Sequence, residues 1–166
     1  MKKLSLATVC VFCLFWMVGG AFAATDSKVL TVNATVSARA TLTLGVATIN
    51  FPDSDPTTVP SISATENPVS VIAKVRTGAA STATLTCIAG GALISGTDTI
   101  AISNVTWTAG GNGFVGGTMS STLGQSAGSW TGSGNNSSTF SYSLANSWSY
   151  AIGSYSQTVT YTLTAP

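Results

Sequence analysis

Histidine is missing from all 166 residues, and only 7% of them carry a charge. The first absence excludes Ser-His-Asp and Cys-His nucleophile arrangements and every histidine-ligated metal site. Serine is plentiful, but an unactivated hydroxyl with no base beside it is a poor nucleophile. The second absence excludes the basic footprint of a nucleic-acid binder and any electrostatic reason for an anionic membrane partner. Cysteine is scarce, with Cys10, Cys13 and Cys87 only. No stretch sustains a helical period with caps. The chain reads as a non-enzyme with no cofactor, no metal and no catalytic residues.

What is present begins with an export segment over residues 1–23. Lys2 and Lys3 form a basic start, Leu4 to Val18 is mostly apolar, Gly19-Gly20 breaks it, and Ala21-Phe22-Ala23 fits a cleavage site. Removing these 23 of the 166 residues leaves 143, the size of one domain. No cysteine opens the remaining chain, so a lipoprotein-type anchor is not expected. No later apolar run reaches the roughly 18–20 residues of a spanning helix, so no membrane insertion is expected after cleavage. Only Cys87 survives, so no internal disulfide forms and the domain relies on its core. The remaining bases, Lys28, Arg39, Lys74 and Arg76, nearly balance the acids Asp26, Asp53, Asp55, Glu66 and Asp98. About a third of these residues are Ser or Thr, interleaved with Val, Ile, Leu and Ala.

The longest regular pattern runs from Val29 to Leu44. Leu30, Val32, Ala34, Val36, Ala38, Ala40, Leu42 and Leu44 alternate with Thr31, Asn33, Thr35, Ser37, Arg39, Thr41 and Thr43. Period-two alternation means a strand with one buried face, yet typical strands run only about 3–10 residues. It is either one long edge strand crossing between two sheets or two strands in tandem, divided near Ser37-Ala38-Arg39.

Farther on, Val46 to Phe51 reads as a short strand ended by the turn Pro52-Asp53-Ser54-Asp55-Pro56. Val69–Thr77 and Thr82–Ile88 alternate on either side of a Gly78–Ser81 turn and read as an antiparallel hairpin. Ile100 and Ile102 give way to Val105 and Trp107, which places a bulge or bend at Ser103-Asn104. Residues 109–138 are rich in Gly, Ser, Asn and Thr and suggest short strands and loops. Phe140, Tyr142 and Leu144 mark one more strand, and Val159, Tyr161 and Leu163 the last. Seven or eight short strands separated by turns imply an all-β, antiparallel sandwich of the Ig-like kind.

Few side chains suggest chemistry. Cys87 reads as a small hydrophobe on a strand, with no neighbouring base to lower its pKa. Asp53 and Asp55 fall short of the six to eight oxygens that Ca²⁺ takes, about the usual number, and suit a turn. Trp107 reads as core and Trp148 as a plug at the open end of the sandwich. Trp130, in a Gly/Ser-rich segment, is the candidate ligand platform, with packing as the competing reading. Gly153-Ser154-Tyr155 before the last strand suggests a tyrosine corner at Tyr155, with simple packing as its rival.

Four features together resemble subunits of bacterial chaperone–usher fimbriae, of the archaic type with spore coat protein U-like domains or the related alternate class. They are the export segment; the strand Leu30-Thr-Val-Asn-Ala-Thr-Val-Ser-Ala; Ile49-Asn-Phe-Pro; and the ending Gly153-Ser-Tyr-Ser-Gln-Thr-Val-Thr-Tyr-Thr-Leu-Thr-Ala-Pro166. The resemblance covers the two ends and hardly the middle. The usual early cysteine of the archaic type is absent, the matching region being Arg39-Ala40-Thr41. The resemblance implies an incomplete sandwich lacking its last strand, which suits a chain that ends at Pro166, just past Leu163. It implies residues 24–37 as an N-terminal extension whose Leu30, Val32, Ala34 and Val36 form a donor strand. It implies residues 38–166 as the pilin domain, with Val159, Tyr161 and Leu163 on the last strand beside an acceptor groove. Its expected partners are neighbouring copies of itself, a periplasmic chaperone and an outer-membrane usher. The subunit would pass through the periplasm to a fimbria at the cell surface, polymerising head-to-tail. The alternative is a self-complete secreted β-sandwich that binds carbohydrate or mediates surface adhesion.

Overall fold

The computed structural model describes residues 24–166; the export segment read at residues 1–23 lies outside the described residues. The chain divides into two units, with the boundary between Ala34 and Thr35. In the first, residues 24–34 carry no strand, and Val29, Leu30 and Val32 expose their apolar side chains. Lys28 Nζ lies 2.9 Å from Asp26 Oδ1, the one ion pair among the described residues.

The second unit holds the strands: β1 (Arg39–Leu44), β2 (Ser61–Ser63), β3 (Val69–Arg76), β4 (Thr82–Ala89), β5 (Leu93–Ser95) and β6 (Asp98–Ile100). They are followed by β7 (Val105–Ala109), β8 (Gly117–Thr118), β9 (Gln125–Thr131), β10 (Gly134–Ala145) and β11 (Val159–Thr164). One sheet runs β1-β3-β10-β7-β8, with β2 beside the far end of β10; the other runs β11-β4-β9; β5 and β6 form a small hairpin. Every pairing between these strands is antiparallel.

Alternation explains how the sheets meet. Val69, Val71, Ala73 and Val75 of β3 are buried, as are Ala83, Leu85, Cys87 and Ala89 of β4. Phe140, Tyr142 and Leu144 of β10 and Val105 and Trp107 of β7 join the same core. The intervening residues on these strands are mostly Ser, Thr and Lys, so each sheet has one apolar face, and the two faces close an all-β sandwich. Full burial of a side chain such as Leu85 or Phe140 contributes about 1.5–3 kcal/mol.

Asn67 mends a gap in the first sheet. β10 pairs with β3 up to Phe140 and with β2 from Ser143. Between them, Asn67 Nδ2 donates to Tyr142 O (2.7 Å) and Tyr142 N–H donates to Asn67 Oδ1 (2.8 Å). Ala64 N–H, just past β2, also donates to Tyr142 O (3.1 Å), so the Asn67 carboxamide shares that carbonyl and alone takes the Tyr142 N–H.

Three sequence expectations change. Residues 46–51 are not a strand, because Asn50 is held from the side. Its backbone N–H and Nδ2 each donate to the Glu66 carboxylate at 2.7 Å, and Thr65 N–H donates to Asn50 O. β3 and β4 are not a hairpin: β3 lies in the first sheet and β4 in the second. Alternation reveals the buried face of a strand, not its lateral partner, and these two strands are related across the core. Finally, β10 starts at Gly134, six residues ahead of Phe140, because Asn135 to Ser138 pair through their backbone with Val71 to Lys74 of β3. The even-to-odd switch after Ile102 is a 3₁₀ turn at Ile102–Asn104.

The antiparallel registers define two ends of the sandwich. The lower end holds the start of β1, the end of β3 and the β9–β10 link. The upper end holds residues 45–68, the β4–β7 region and the β10–β11 connection.

Candidate functional site, a groove between two open edges

Among the described residues, β1 pairs only with β3, and β11 only with β4. These two edge strands belong to different sheets and flank the same side of the core. Leu42, Leu44 and Val46 line one wall of the space between them, and Val159 and Tyr161 the other, around about 410 Å³. All five pack against the core while staying only half-buried, and Leu163 does the same. No charged residue lines this groove.

The backbone phase of both edges follows from two hydrogen bonds. Gly90 N–H donates to Thr158 O (3.0 Å), so the even-numbered residues of β11 direct their peptide groups toward β4. Val159, Tyr161 and Leu163 therefore direct theirs to the open side. Gly45 N–H donates to Ser70 O (2.8 Å), which likewise leaves Ala40, Leu42 and Leu44 with their peptide groups directed away from β3. The residues that show apolar side chains to the groove thus carry the free N–H and C=O groups as well. Unpaired edges of this kind invite another strand.

Tyr161 forms the floor. Its ring stacks on Phe140 with centroids 6.0 Å apart and planes at 25°. Its hydroxyl lies 2.9 Å from that of Tyr142 on the opposite sheet. Burial pushes the Tyr161 phenol up, and the neighbouring Tyr142 adds to it. Burial also pushes the Cys87 thiol up to about 11, so at neutral pH it stays protonated beneath the groove.

The other candidate residues fall elsewhere. Val36 lies exposed just before β1, without strand pairing, as do Leu30, Val32 and Ala34 in the first unit. Tyr155 donates its hydroxyl to Ala151 O four residues upstream (2.8 Å), the bond that a tyrosine corner makes. Trp130 is packed rather than presented. Its ring meets Phe114 edge-on at 4.7 Å, lies against Gly113 and Gly128, and spends its N–H on Asn112 O (2.7 Å). A side chain on either glycine would collide with the indole. Trp148 does not plug the sandwich: it is 74% exposed, with its N–H on Thr57 Oγ1 (3.2 Å). The Asp55 carboxylate accepts Thr57 N–H (2.8 Å), closing its own turn.

Sequence reasoning missed the second wall. Leu42 and Leu44 were visible as an alternating pair, but their position across from β11 depends on tertiary pairing. Compared with family models, curated proteins and solved structures, the chain matches none.

Proposed function

We propose that this chain is an exported structural subunit that polymerises head-to-tail by strand donation, as subunits of chaperone–usher fimbriae do. The observation that carries the reading is the groove: two free edges, from opposite sheets, enclosing half-covered apolar side chains. The strand order supports it as well. An Ig-like domain has sheets ABED and CFG; β1-β3-β10-β7 corresponds to ABED and β4-β11 to C and F. The open side of β11 is then the place of strand G.

The donor is the alternating segment of the next copy. Leu30, Val32, Ala34 and Val36 recur at the same period as the groove residues. The small Ala34 fits opposite the bulky Tyr161, which sets Val32 opposite Leu163 and Val36 opposite Val159. Full burial of Leu30, Val32 and Val36 contributes about 1.5–3 kcal/mol each, and each new ladder hydrogen bond about 0.5–1.5 kcal/mol. The occupant thereby joins both open edges by β-augmentation. Before assembly, a periplasmic chaperone would cover the groove, and an outer-membrane usher would exchange it for the next subunit.

The test compares the chain from Ala24 with one that lacks Ala24 to Ser37. At concentrations where copies associate, the shortened chain should melt at a lower temperature, and a peptide of residues 28–37 should restore the loss. At a hundredfold excess over its Kd, the peptide adds about 2.7 kcal/mol. A shortened domain as stable as the longer one, and indifferent to the peptide, overturns the reading.

A further inference from the structure

We propose that the two ends of the sandwich are docking surfaces for each other, the acidic upper end of one copy receiving the basic lower end of the next. The inference rests on the strand-donation reading.

Charge is segregated along the strand axis. From residue 39 onward the acids are Asp53, Asp55, Glu66 and Asp98, all at the upper end. Asp53 and Asp55 lie in the loop on which Trp148 rests, and Glu66 holds Asn50 within the same set of connections. Asp98 opens β6 in the small hairpin, which bridges through Ile94 to Ser156 of the β10–β11 connection. The bases are Arg39, Lys74 and Arg76, all on the lower part of β1 and β3. Arg39 stands directly across from Arg76, with Lys74 opposite Thr41. Like charges facing across a ladder destabilise a sheet, and no acid of the described domain pairs with any of the three. The fold keeps a basic rim at one end and an acidic rim at the other, with no ion pair between the described side chains at either.

Strand donation brings these ends together. The donor segment leaves its own domain at Arg39, on the lower end. Inserted parallel to β11, it would bring two lower ends face to face, a reciprocal pairing that closes as a dimer. Inserted antiparallel, it brings the lower end of the donor over the upper end of the acceptor, a heterologous contact that propagates. With Val36 in the groove, only Ser37 and Ala38 separate it from Arg39, a reach of about 10 Å at roughly 3.3 Å per residue. The two domains must therefore abut. The upper end also exposes Trp148 and Ile152, the latter fully, giving the acidic rim an apolar centre.

The experiment uses the full chain from Ala24 and three variants: Asp53→Lys with Asp98→Lys, Arg39→Glu with Arg76→Glu, and all four changes together. None of the four side chains makes a hydrogen bond within the domain, whereas Asp55 and Glu66 do and are left alone. Sedimentation at low salt should show each double variant self-associating about tenfold more weakly and the quadruple variant recovering. At about 1 M salt, where screening acts within about 3 Å, the differences should vanish. In dilute solution, the 28–37 peptide should raise the melting temperature of all four chains equally. If self-association is the same in every chain while the peptide still binds, the docking surfaces fall and strand donation stands. If no chain responds to the peptide, strand donation falls and the docking surfaces fall with it.

Discussion

β4 and β11 are neighbours in one sheet, carry the same alternation of Thr with apolar residues, and end up in different states. On β4 the inward side chains Ala83, Leu85, Cys87 and Ala89 are almost wholly buried. On β11 the inward Val159, Tyr161 and Leu163 remain partly exposed. β4 lies between β11 and β9, whereas β11 has one neighbour. Burial of an inward residue thus depends less on its own strand than on whether a strand lies to each side. Pattern selects the face; lateral pairing completes the burial.

The largest expected effect tests that contrast directly. Leu85→Ala should cost about 2–5 kcal/mol, as for a closed core position. Leu163→Ala, in the chain without added peptide, should cost about 1–2 kcal/mol, because its side chain is only partly covered. Saturating 28–37 peptide should narrow the gap by raising the cost at Leu163 alone. Equal losses in urea unfolding without peptide would erase the distinction between the two strands.

A second contrast sets two tryptophans against each other. Trp130→Ala removes an indole wedged against Phe114 and two glycines and should cost about 2 kcal/mol. Trp148→Ala should stay within about 0.5 kcal/mol in the isolated chain. Should Trp148→Ala prove the more damaging in thermal melts, the packing described for the two indoles is wrong.

A third contrast concerns Cys87, near the upper end of β4. Its thiol pKa rises from 9.0 to about 11 on folding. A raised pKa means that the folded form retains the proton more firmly. The resulting stability is full below pH 9 and is lost as pH climbs from about 9 through about 11. Cys87→Ala should therefore lose less stability across that interval than the parent chain. Identical alkaline slopes would show that the thiol does not titrate from a buried position.

Much of this was legible beforehand. The alternation of β3, β4 and β11 identified the inward residues correctly, and the scarcity of charge fits a core and groove free of ionised groups. Partnership was not legible. β3 and β4 face each other across the core because a five-residue link carries the chain between sheets, and no period in the sequence encodes that crossing. The first half of β10 escaped notice because Asn135 to Ser138 contribute peptide groups rather than apolar side chains. Residues 46–51 alternate like a strand but are anchored by Glu66, whose partner Asn50 is sixteen residues away. The groove inherits the same limit: each wall was visible, and their adjacency was not.

The connectivity of the sheets also governs how the chain reaches this state. β1 with β3, β3 with β10, and β4 with β11 all join segments far apart in sequence, while β5–β6 and β7–β8 are the short-range pairings among the described strands. Each distant pairing requires a long loop to close before any ladder bond repays the lost entropy. Chains dominated by such pairings fold in about milliseconds to seconds. β11 joins last in synthesis order, yet its partner β4 lies some seventy residues earlier, an order-of-magnitude separation typical of slow β topologies. Until β11 docks, β4 is itself an open edge beside that of β1, so for part of its folding the chain presents a fully core-facing strand that the folded domain later covers. Crowding among copies during that interval favours mispairing, and a companion that shields the edge would act on yield before it acts on assembly.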